Sequence, residues 1–168
     1  MSITMYQTAV PAFLKTLNAL SAILDKAAAD AATRKIDETV LLNYRLAPDM
    51  FALGRQVQLV TDFAKGAAAR LAGAEVPKYE DTEATIAELK ARIAKTLAFV
   101  GSFKPDAIDG SEVREIILTI GGEPMTFSGQ DYLVQVVLPN FYFHATVAYA
   151  ILRHCGLNIG KRDFLGRT

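Results

Sequence analysis

The chain has 168 residues, 51% hydrophobic and 21% charged, with Lys plus Arg equal to Asp plus Glu at 18 each. That balance predicts one globular domain with a full core and argues against disorder, while the neutral total removes the simplest electrostatic case for nucleic acid. A single cysteine, Cys155, excludes an intrachain disulfide, and the opening Met1–Tyr6 has no secretory pattern, so the expected compartment is the cytoplasm.

The first helix is predicted from about Ile3 to Ala29. Tyr6, Val10, Phe13, Leu17, Leu20, Leu24 and Ala27 recur at steps of four and three, the seam of a helix packed in a bundle. Pro11 lies inside that seam and implies a kink or a late start. A connector follows from Asp30 to Ala47, with Asp37-Glu38-Thr39 as a cap for one short turn.

Pro48 is expected to open the second helix, whose seam is Leu53, Val57, Val60, Ala64, Ala67 and Leu71, and Gly73 to close it. Asp49 then reads as a first-turn partner of the helix dipole. The third helix is expected to be capped by Asp81 or Thr82, with Ile86, Leu89, Ile93, Leu97 and Val100 inward and an end near Phe103.

The period then changes. Val113 to Ile120 and Glu123 to Phe127, divided by Gly121-Gly122, predict a β-hairpin that fills the crossover to the last bundle helix. That fourth helix spans roughly Gly129 to Cys155. Val137, Phe141, His144, Ala148, Ile151 and Cys155 share a stripe, and its flanks are also apolar, so it is buried on several sides. The stretch is long enough to test as a membrane span. Gln135, Pro139, Asn140, His144, Arg153 and His154 would be costly in lipid, and a buried central helix is the better reading. Ile159, Phe164 and Leu165 in the tail are placed to pack back on the bundle.

The two histidines decide much of the chemistry. His144 and His154 are ten residues apart on one helix, about 15 Å along its axis, while a Zn–N bond is roughly 2 Å. They cannot share an ion within one chain, and no Glu-x-x-His pair exists for a di-iron bundle. His144 on the inward stripe is either a hydrogen-bonded core histidine or a base or lone imidazole ligand in a cleft. His154, in the last turn, suits a helix-end cation. Cys155 at a helix C-terminus reads as a packed thiol and not as a nucleophile. Gln56 can face inward with Leu53 and Val60 and line a polar pocket, or satisfy an interhelical hydrogen bond. Phe141, Tyr142 and Phe143, with Tyr132 and Tyr149, suit a core or a dimer face.

Arg45-Leu46-Ala47-Pro48-Asp49-Met50, Pro139-Asn140-Phe141-Tyr142-Phe143-His144, Ala148-Tyr149-Ala150-Ile151-Leu152-Arg153 and Gly160-Lys161 with Asp163-Phe164 together resemble a bacterial family of unknown function in the DinB/YfiT-like superfamily. The resemblance runs nearly end to end and implies four helices with a crossover, often in dimers. For many members it also implies a divalent metal and activities that include thiol S-transfer. The ligands there are one histidine on helix two and a His-x-x-x-His on helix four, followed by Leu-Arg-x-x-Gly. Leu152-Arg153-x-x-Gly156 matches that ending, and His144 falls at the second histidine. Asn140 stands at the first, and helix two offers Gln56 and no histidine. Amides are poor ligands for Zn or Ni beside imidazole.

The expected fold is therefore all-α, a single DinB-like four-helix bundle over residues 1–168 with a small β-hairpin between helices three and four. The expected function is small-molecule binding between helices two and four, in a polar pocket of Gln56, Asn140 and His144, without metal or other cofactor. The alternatives are a metal-dependent, thiol S-transferase-like enzyme with a degenerate site and a homodimeric interaction protein. A small molecule and a second copy are the expected partners, with neither nucleic acid nor membrane, and no catalytic residue is assigned.

Overall fold

The computed structural model describes residues 3–167; Met1, Ser2 and Thr168 lie outside them. Thr4 caps α1, Met5–Arg34, through a capping box with Gln7. The helix runs past Ala29 because Asp30 to Arg34 is rich in alanine, the best helix former, and Arg34 pairs with Asp30 one turn back. Pro11 is exposed inside α1, where water can satisfy the carbonyl that its missing N–H leaves free. Asp37 caps the short α2, Glu38–Leu42, accepting from the Thr39 amide.

Pro48 does not open a helix. It takes the second position of a turn closed by the Met50 amide donating to Ala47 O at 3.0 Å, a place its fixed φ also suits. Helix α3 is Leu53–Ala72, ended by Gly73 at φ 69°. Asp49 is accordingly an exposed turn residue and not a dipole partner.

Helix α4, Ile86–Gly101, is capped by Thr85 with Glu88 in a capping box, not by Asp81 or Thr82. That Thr-x-x-Glu signature was present in the sequence. Asp81 and Glu83 are instead drawn to cations on α3 and α4. A single turn, α5 (Pro105–Ile108), and a 3-10 turn at Ser111–Val113 lead into the hairpin.

Strands β1 (Glu115–Ile120) and β2 (Glu123–Ser128) pair antiparallel, with Ile116 opposite Phe127 and Ile120 opposite Glu123. Both turn glycines have positive φ, 62° and 91°, which is why a two-residue connection needs them. The last long helix is continuous but not uniform. It comprises α6 (Gly129–Asp131), a π-helical stretch over Tyr132–Val137, and α7 (Leu138–His154). Pro139 supplies the cause: it has no N–H for the carbonyl of Gln135, and the preceding turn widens. A final turn, α8 (Lys161–Phe164), packs on α1, with Phe164 against Tyr149 and Asp163 on Lys26 at 2.5 Å.

The bundle helices are α1, α3, α4 and α7. The fold is an all-α bundle with a two-stranded insertion, α1 lying on α4 and α3 on both α7 and α4. Phe13 and Phe141, both fully buried, meet edge to face at 4.9 Å in the core. No helix among the described residues is long and apolar enough to cross a membrane.

Candidate functional site

The second and fourth helices of the sequence reading are α3 and α7, and their contact carries the polar residues. Gln56, 1% exposed, donates from Nε2 to Phe51 O at 3.0 Å. That bond orients the amide, so Oε1 faces His144 Nδ1 at 2.7 Å. An amide oxygen only accepts, so Nδ1 carries the imidazole proton and Nε2 keeps its lone pair. Nε2 has no hydrogen-bond partner among the described residues. The ring stacks on Phe63 at 5.7 Å and meets the edge of Phe143 at 5.2 Å. Burial, and secondarily the Arg55 charge, hold the His144 pKa below its ordinary 6.5. The site therefore holds a neutral imidazole of fixed tautomer.

Asn140 lies one turn before His144 on α7, and its Nδ2 donates to Val136 O at 2.7 Å on its own helix. It does not bond to the Gln56–His144 pair. It lines a cleft of about 690 Å³ between α3, the π-helical stretch and β1. Leu59, Phe63, Val136, Ile117, Leu118 and Ile120 form its apolar wall, and Asp62, Arg70, Thr119, Tyr132 and Asn140 its polar groups. Phe63 belongs to both places: one edge of the cleft is the ring that His144 stacks against.

The donor set does not suit the metal implied by the superfamily resemblance. It holds one imidazole and two amides, of which Gln56 Oε1 is taken by His144 and Asn140 is tied to its own backbone. Among the described residues no three His, Cys, Asp or Glu side chains converge on a point. Such a set has little affinity for first-row transition metals beside a three-imidazole site.

A second polar cluster was missed by the sequence reading. Arg92 on α4, 4% exposed, donates from Nε to Thr61 Oγ1 at 2.7 Å, from Nη2 to Asp62 at 2.7 Å and from Nη1 to Glu83 at 3.0 Å. Asp81 is 3.0 Å from the same Nη1 and 2.5 Å from Arg55. Gln58 donates to Glu83, and Lys65, 7% exposed, pairs with Asp62 at 2.8 Å. The signal was available: Arg55, Gln58, Asp62 and Lys65 recur at helical spacing beside the apolar seam of α3.

The remaining candidates are quieter. His154 is exposed and lies 5.6 Å from the Tyr44 ring. Burial pushes the Cys155 thiol pKa up, against a smaller opposing pull from Arg34, which keeps it protonated and unreactive.

The bundle with its hairpin insertion has known counterparts. The profile of a domain of unknown function, DUF1993, matches residues 5–165. The crystal structure of a DinB family member protein from Shewanella denitrificans is 42% identical, with a TM-score of 0.87, covering 97% of this chain and 92% of that one. No curated protein matches. The chain belongs to the DUF1993 family and is a DinB-like four-helix bundle.

Proposed function

We propose that the protein binds a small organic molecule, without a metal ion, in the cleft between α3, β1 and the π-helical stretch that leads into α7. The observation that carries this reading is the cleft itself: about 690 Å³, mostly apolar, with a few polar side chains on its walls. Ligand sites for small molecules share that size and make-up. Asn140 touches the ligand directly. Gln56 and His144 act behind it, holding Phe63 through the stacked, tautomer-fixed imidazole.

A fragment screen followed by methyl NMR tests this. Bound fragments shift the methyls of Leu59, Ile117 and Val136, and Asn140→Trp, which fills the cleft, weakens them by about tenfold or more, the effect of losing roughly one good contact. Hits that survive the filled cleft, or no hits, reject the reading.

A homodimer formed through α7 is the second reading. Phe143 is 53% exposed and Tyr142 40%, two adjacent large aromatic side chains on the surface of α7. A dimeric mass by light scattering at micromolar concentration, lost in Phe143→Glu, supports it; a monomeric wild type rejects it. We also place the protein in the cytoplasm, where a lone, half-buried thiol is at no disadvantage.

A further inference from the structure

We propose that the cleft takes an apolar monocarboxylate and that Arg70 binds its head group. This rests on the cleft reading above and adds the ligand's charge and class.

Arg70 is the cation of α3 that lacks a carboxylate. Arg55 pairs with Asp81 and Lys65 with Asp62, whereas no carboxylate among the described residues lies within 4.0 Å of Arg70. Yet the guanidinium is held in place. Nη1 donates to Tyr132 Oη at 3.2 Å, and the group sits 6.0 Å from the centre of the same ring. A half-buried, positioned guanidinium without a carboxylate partner, set in a cleft wall, is suited to bind an anion.

Gly66 is the second, independent sign of a built site. It is buried inside α3, where alanine is the better helix former. A Cβ at that position would sit 2.5 Å from Arg70 Nη1. The missing side chain is the space in which the guanidinium lies.

The charges around the cleft limit the ligand to a monoanion. Asp62 is the one acid in the lining, and its charge is taken by Lys65 and Arg92. One positive charge is left, enough for a carboxylate and short of a phosphate dianion. Tyr132 Oη accepts from Arg70, so its own proton is free to donate to a carboxylate oxygen. Burial raises its pKa, against a weaker pull from Arg70, and so keeps that proton in place. Leu59, Phe63, Leu118 and Val136 form most of the remaining wall, beside Thr119 and Asn140, which calls for an aliphatic or aryl tail.

Three isosteric probes test it by calorimetry and methyl NMR: 4-phenylbutyrate, 4-phenylbutanol and 4-phenylbutylamine. The acid binds wild type about tenfold or more tightly than the alcohol, the effect of one charge-assisted hydrogen-bond pair, and shifts the Leu59 and Val136 methyls. Arg70→Met brings the acid down to the alcohol's affinity and leaves the alcohol's unchanged. Gly66→Ala does the same while keeping the arginine, and its melting temperature, unchanged or raised, shows that the fold is intact. Equal binding of acid and alcohol in the wild-type cleft overturns the carboxylate inference and leaves the cleft reading standing. An acid preference that survives Arg70→Met overturns the assignment to Arg70, and tightest binding of the amine overturns the sign of the charge. If no probe moves the cleft methyls, the cleft reading fails and this inference with it.

Discussion

Replacing Arg92 with alanine lowers the unfolding free energy by about 3–5 kcal/mol, the usual result of removing one partner from a buried ion pair. The Arg92 side chain is 2% exposed and faces Asp62, Glu83 and Asp81 at 2.7 to 3.0 Å. Without it, Glu83, itself 12% exposed, keeps only the Gln58 amide as a partner, and Thr61 loses its donor. Arg92→Lys keeps the charge but not the planar fork that serves Thr61, Asp62, Glu83 and the Glu80 carbonyl at once, so it falls between. Lys90→Ala, which breaks the surface pair with Asp25, costs less than about 0.5 kcal/mol. Urea unfolding reads all three variants. A loss below about 1 kcal/mol for Arg92→Ala would mean that water already solvates the cluster.

The same cluster sets an acid response. Burial works to raise the Asp81 pKa, but its bond to Arg55 and the charges of Arg55 and Arg92 outweigh burial and hold it below 3.8. A carboxylate with a lowered folded pKa contributes stability that is present above its unfolded value and is lost as pH falls through the folded one. Wild type therefore loses stability below about pH 4, and the gap to Arg92→Ala narrows there, because a protonated Asp81 no longer pairs with Arg92.

Gly129→Ala destabilises by about 2–3 kcal/mol and shifts the hairpin, the cost of overpacking against atoms that cannot swing aside. A Cβ at Gly129 would lie 1.9 Å from the carbonyl oxygen of Ser111 and 3.5 Å from Leu71, which is fully buried. The segment carrying Ser111 leads directly into β1, so relieving the clash moves Ile117 and Leu118 on the cleft wall. Gly160→Ala is the control: its φ is −139° and an added Cβ meets nothing within 4 Å, so its effect stays within about 0.5 kcal/mol. The check is thermal unfolding with methyl spectra of the cleft, and a Gly129→Ala spectrum that overlays wild type would show the approach to be looser than described.

The bundle was legible because each seam repeats at steps of three and four over many turns, and a long pattern averages out local noise. The hairpin was legible from Gly121-Gly122 between two apolar runs. The starts of α3 and α4 were misjudged for a common reason: a proline or a capping residue satisfies more than one local geometry. Pro48 suits a turn as well as a first helical position, and Asp81 suits an ion pair as well as a cap. Only the surrounding cations and the competing Thr85–Glu88 box decide between them.

The three singled-out polar residues illustrate the same division. Gln56 and His144 are 88 residues apart in sequence and 2.7 Å apart in space. Asn140, four residues from His144, turns to its own backbone and the cleft instead. Helical spacing places a residue on a face but says nothing of the partner across it, and the π-helical stretch before α7 shifts the faces of Tyr132 and Val136 in a way no 3.6-residue pattern anticipates.

By itself the sequence determined the number of long helices, their apolar faces and the glycine turn of the hairpin. These depend on covalent geometry and short-range periodicity, which a linear chain already contains. Tertiary structure decided which polar groups meet: the Gln56–His144 bond, the cations around Asp62, and the Arg70–Tyr132 bond over Gly66. Such pairings depend on the rotation and register of one helix against another, and ångström differences there separate a hydrogen bond from a missed contact.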